Sequence, residues 1–163
     1  SQLGFIPYAG INMDMIGRAD LVRPSIFSWA RNLFKGKQTN KIYYSHLPGC
    51  EAIDSICQLC NEEIELSLNG HNPYNNSTTQ LLGDHQRFFY RGIPYVHFYD
   101  ANHADLHTPR DKPRKINLKK AQKVSQLAMV IATNLANSTE KLQVNHYQWL
   151  EAYSDLISGD YRY

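Results

Sequence analysis

The sequence is short of several things, and each shortage excludes something. Only three of its 163 residues are cysteine: Cys50, Cys57 and Cys60. An odd, low count does not describe a disulfide framework. Cys57 and Cys60 have CxxC spacing, but there is no second pair and both sit in a helical pattern, so they read as small buried hydrophobes. The formal net charge is only +2, too little for the basic face that nucleic acid demands. The one local excess, Arg110 to Lys123, reads as a solvated helix face. No run approaches the roughly 18 apolar residues of a membrane helix. No signal peptide is visible, and a start at Ser1 rather than Met leaves a processed or truncated N-terminus open. There is no internal repeat. What remains is a 42% hydrophobic chain, suited to one ordinary globular domain or a large part of a bigger one.

Read in order, the chain alternates between strand and helix patterns. Residues 8–16 read as a buried strand in which Ile11, Met13, Met15 and Ile16 surround a single acid, Asp14. A carboxylate in that setting needs a cation or a metal. A helix is expected over 24–34, a strand over 41–45 and a helix over 51–61. The alternation over 64–68, followed by Asn69-Gly70, predicts a third strand, with Glu62-Glu63 as its solvated edge. Residues 70–83 form a long polar loop, then a short helix over 84–90 is capped by Asp84. Residues 95–99 make the fourth strand, in which His97 is a core or rim histidine. The loop 100–113 carries His103, His107 and Asp111. Asn117 caps a long helix whose packed face is Leu118, Ala121, Val124, Leu127, Ala128, Ile131 and Leu135, and a further helix is expected over 146–157.

That order predicts an α/β fold, a three-layer α/β/α sandwich around a mostly parallel, mixed sheet. Ligand loops in such sheets lie beyond the strand C-termini. The rule brings Asp14, the loop before Asp84 and the loop holding His107 to one rim.

Four stretches together resemble the zinc-dependent exopeptidases of the M28 aminopeptidase family. They are Asn12-Met13-Asp14-Met15-Ile16-Gly17, Gly83-Asp84-His85-Gln86-Arg87-Phe88, Gly92-Ile93-Pro94 and His107-Thr108-Pro109-Arg110-Asp111. The resemblance implies that residues 1–137 are the C-terminal half of a catalytic domain, with 138–163 its last helix and tail. It implies a co-catalytic zinc pair, with Asp14 a ligand of one ion and His107 a ligand of the other, both suitable donor types. Asp84, His85, Asp111 and Tyr74 are then expected near the metals or the substrate, Asp111 by orienting the His107 loop. In many relatives a tyrosine precedes the His ligand and can meet the oxyanion. Leu106 stands there in this chain, and Tyr74 is the candidate substitute.

The resemblance also shows what the chain lacks. The family's first His ligand, its bridging Asp and its paired Glu, the general base among them, all lie upstream of the Asp14 strand. The thirteen residues before Asp14 include no His, Asp or Glu. The chain is therefore expected to be a fragment or one half of a nicked enzyme, holding zinc weakly or not at all and inactive alone. Its partners would be the missing N-terminal half and a peptide substrate, with no nucleic acid and no membrane span. Two alternatives stand beside this: a glutaminyl-cyclase-like zinc acyltransferase, and a non-catalytic interaction domain with a peptidase fold. Relatives are often exported, which sets the expected compartment. The sequons at Asn75, Asn76 and Asn137 matter only in a eukaryotic secretory context.

Overall fold

Tyr95–Tyr99 (β4) is an aromatic run with almost every residue buried, and it occupies the interior of a four-stranded sheet. The computed structural model describes residues 7–18, 40–70, 83–100, 103 and 105–158. The strands Gly10–Asp14 (β1), Lys41–His46 (β2) and Ser67–Gly70 (β3) join β4 in the order β1-β4-β2-β3. β1 runs parallel to β4 and β2 parallel to β3, while β2 and β4 are antiparallel. The sheet is mixed, as expected. The expected helix over 24–34, and Tyr74 with nearly all of its loop, lie outside the described residues.

Strand alternation sends the side chains of β4 to opposite faces. Phe98 meets Tyr44 of β2, whose hydroxyl bonds Asp54 and Gln58 of the helix Glu51–Asn61 (α1). α1 and the long helix Leu118–Asn137 (α3) therefore cover that face, burying Ile53 and Cys57 with Val124, Leu127 and Ile131 in one core. Tyr95, His97 and Tyr99 take the other face, where His85 stacks on His97 and meets Tyr95 at a tilt. His85 leads into the short helix Gln86–Phe89 (α2), and the helix His146–Ser158 (α4) packs on it through Trp149, whose indole N–H donates to the Phe89 carbonyl at 2.9 Å. Three layers result. Among the described residues no helix is long and apolar enough to cross a membrane.

Several expectations need correction. β1 is shorter than 8–16 and is only half-buried, with Met13 45% exposed; among the described residues it is bonded to one neighbour, β4. The third strand begins at Ser67 rather than Ile64. The Asn61 side chain brackets Leu66, accepting from its N–H at 3.0 Å and donating to its carbonyl at 2.8 Å, while Glu65 turns left-handed (φ 57°). Glu62 and Glu63 fall in this exposed turn, not on a strand edge. Asp84 does not cap α2 with its side chain; only its carbonyl serves, accepting from Arg87 N at 3.3 Å. Asn117 does cap α3, accepting from Lys120 N at 3.1 Å. On α3, Leu118 is 76% exposed, and fully buried Lys120, one turn before Val124, occupies the packed stripe.

Candidate functional site

Asp14 is the last residue of β1 and stands in register with Tyr99, the last residue of β4. Because the two strands are parallel, both end on one rim, the place where ligands meet sheets of this kind. Asp14 is half-buried there, so the acid is partly open to water rather than sealed in a strand interior. Met15 then turns left-handed (φ 53°) and ends the strand.

The chain leaving Asp14 is held firmly to the segment that follows β4. The Gly17 carbonyl accepts from Asn117 N at 2.6 Å, and a Cβ at Gly17 would come within 2.9 Å of the Ile116 methyl. Arg18 is buried, and its guanidinium forks between two acids: one nitrogen donates to Asp105 at 2.7 Å and the other to Asp111. The Arg18 carbonyl accepts from Lys120 Nζ at 2.7 Å, and the same ammonium meets Asp100 in a fully buried pair.

His107 lies between the two acids that Arg18 grips. Thr108 N donates to the Asp105 carbonyl at 3.0 Å, closing a four-residue turn in which His107 is the third residue, with φ 56°. A positive φ at that position is the signature of a type II turn and is normally met by glycine. A further turn follows, with Asp111 N donating to the Thr108 carbonyl at 3.0 Å. The His107 side chain is exposed on this double turn. Asp105 collects three cations: Arg18, Lys115 at 2.6 Å and Arg110 at 3.6 Å. Hydrogen bonds from Lys115 and Arg18 hold its carboxyl down at about 2.

The structure thus brings Asp14, His107 and Asp111 to neighbouring segments of one rim. Asp111, four residues after His107, is bonded to Arg18. His85 is buried, with its ring 3.9 Å from that of His97. His97 is itself bonded to the Asn12 amide at 3.0 Å. Burial, and then the His85 ring, push His97 down to about 3. Asp84 is exposed. His103 is buried, and among the described residues neither of its ring nitrogens has a hydrogen-bond partner. Sequence reading passed over Arg18, Asp100, Asp105 and Lys120. No spacing ties position 18 to positions 105 and 111, and Lys120 hid inside a run that reads as a solvated face.

Asp14 and His107 offer oxygen and nitrogen donors of the kinds zinc takes, but a zinc site needs four ligands, at least three of them from protein. Among the described residues, no group of three His, Cys, Asp or Glu is arranged to hold a metal ion. Among the described residues, the donors present would serve as part of a larger set.

Comparison with solved structures finds the same fold in the LapA aminopeptidase of Legionella pneumophila, at 18% identity and a TM-score of 0.59, over 82% of this chain and 32% of that one. Nicastrin, a gamma-secretase component, matches at 14% identity and a TM-score of 0.50, over 92% of this chain and 25% of that one. The chain therefore spans about a third of LapA and a quarter of nicastrin. A search of curated protein sequences finds no match. The sequence profile of peptidase family M28 matches residues 8–132, which include the β1 rim, the Gly83-Asp84-His85 turn and the His107 loop. The chain belongs to peptidase family M28.

Proposed function

We propose that this domain contributes one side of a two-zinc aminopeptidase site that removes N-terminal residues from peptides. Asp14 would be a ligand of one ion and His107 of the other. The remaining ligands and the general-base Glu would come from chain outside these 163 residues. Bound zinc ions would supply an activated water and a polarised scissile carbonyl. This chain's own part is to present a carboxylate and an imidazole on a rigid rim and to keep their spacing fixed.

The observation that carries the reading is the Arg18 fork. It joins the exit of the Asp14 strand to both acids flanking His107, so two residues 93 positions apart in sequence sit on segments bonded to each other. Two donors cannot hold zinc tightly, so the 163-residue chain is inactive by itself on this reading.

The test is a zinc titration of the 15N-histidine-labelled chain, run beside hydrolysis of aminoacyl-anilides by the chain and by a longer protein that includes the upstream segment. Zinc should shift the His107 ring nitrogens weakly in the chain, and Asp14→Asn with His107→Ala should abolish turnover in the longer protein. Robust turnover by the 163-residue chain, or a longer protein indifferent to both substitutions, overturns the proposal. The likeness to nicastrin, a gamma-secretase component, supports a second reading as an interaction domain on the peptidase fold. Absence of zinc from the longer protein would favour it.

A further inference from the structure

We infer that Arg18 is a positioning residue: its guanidinium fork, closed on Asp105 and Asp111, holds His107 in a left-handed turn so that the imidazole stands out on the rim beside Asp14. The inference rests on the zinc reading for what the imidazole does, and on geometry alone for what Arg18 does.

The starting point is a misfit between residue and backbone. The third residue of the 105–108 turn has φ 56° and is His107, where glycine would be free of strain. A side chain held left-handed is strained, and such strain persists only where the surroundings over-determine it. Among the described residues, Arg18 is the cation that reaches both ends of this stretch. Asp105 lies two residues before His107 and Asp111 four after. Gripping both fixes the distance across the double turn, which leaves His107 little freedom to relax.

The grip is itself anchored. The Arg18 backbone is held through its carbonyl by Lys120, and Lys120 is clamped to Asp100 at the end of β4. Gly17, just before it, is tied to the cap of α3. The fork is therefore mounted on the sheet and on α3, not on the loop it controls. Arginine suits this role because one planar group can direct separate N–H bonds at two carboxylates, whereas an ammonium has no fixed fork. Lys115 and Arg110 also touch Asp105, but neither reaches Asp111, and the Arg110 side chain is 74% exposed. A role limited to general stability would not need both flanks of one strained residue.

The experiment uses the full 163-residue chain, labelled with 13C and 15N, as the parent and as Arg18→Ala, Arg18→Lys and Asp111→Asn. Two readouts are taken: the His107 Cα and Cβ shifts, which report the left-handed backbone, and the zinc concentration at which the His107 ring nitrogens respond. In Arg18→Ala the backbone shifts should leave the left-handed range and the zinc midpoint should rise 10–100-fold, while methyl signals of Val124 and Ile131 in the core stay in place. Arg18→Lys should restore part of both. Unchanged His107 shifts in Arg18→Ala overturn the inference. Should that variant fail to fold, Asp111→Asn decides in its place, since the Asp111 side chain is 42% exposed and its loss leaves the core intact. A longer protein that includes the upstream segment and whose His107 ring ignores zinc refutes the zinc reading, while the backbone shifts of the 163-residue chain still decide whether Arg18 positions His107.

Discussion

Lys120 and Asp100 form a fully buried ion pair that joins the first turn of α3 to the end of β4, and the same ammonium donates to the Arg18 carbonyl. Breaking such a pair from one side leaves the other charge buried and alone, at a cost of about 3–5 kcal/mol. Lys120→Met should therefore lower the urea midpoint sharply, and Asp100→Leu combined with Lys120→Met should recover much of the loss. Urea unfolding followed by circular dichroism measures both; a single variant as stable as the parent refutes the account.

His97 makes the fold acid-sensitive. Burial holds its native pKa near 3, against an ordinary value of 6.5. Above pH 6.5 the imidazole is neutral in both folded and unfolded chains, so its preference for the folded state is fully present. As pH falls from there towards about 3, the unfolded chain takes up a proton that the folded one refuses. Stability should drop across that window by up to about 1.4 kcal/mol per pH unit. The slope is read from denaturant titrations at stepped pH, and it should flatten in His97→Phe.

His107 itself should be replaceable without harm to the fold. Glycine removes the left-handed strain and alanine keeps it, so His107→Gly should be more stable than His107→Ala by about 1 kcal/mol, after the entropy glycine adds to the unfolded chain. Equal melting temperatures for the two would show that the turn is unstrained.

The three cysteines should be silent. Burial raises the Cys50 thiol to about 11 and pushes Cys57 and Cys60 up as well. Thiolate is the reactive form, so Ellman's reagent at pH 8 should find almost no thiol in the native chain and three after denaturation. Prompt native reaction at Cys57 would contradict its place in the core.

Gly49 should not tolerate a side chain. Its φ is 78°, and a Cβ would run into the Asn145 carbonyl oxygen, just where Asn145 N donates back to the Gly49 carbonyl at 2.7 Å. Gly49→Ala should cost about 1–3 kcal/mol and raise hydrogen exchange in α4, which begins at the next residue.

Much of this molecule was legible before folding was considered. Helix α1 and strand β4 lie where hydrophobic period and flanking turn residues put them, because each is a local pattern that its own neighbours enforce. Asn117 announced its cap for the same reason. The M28 likeness was legible too, since its motifs are short and contiguous. The onset of β3 was not, because an asparagine side chain several residues upstream delays it.

The rim that carries Asp14 and the His107 loop could be read from the order of the elements, but what fastens that loop to it could not. That depends on Arg18 finding Asp105 and Asp111, and on Lys120 finding Asp100, across separations of 20 to 93 residues. A sequence shows only that these residues are charged. Whether a charge is solvated or buried against a partner is decided when the parallel pairing of β1 with β4 and the packing of α3 bring distant segments together and drive the water out.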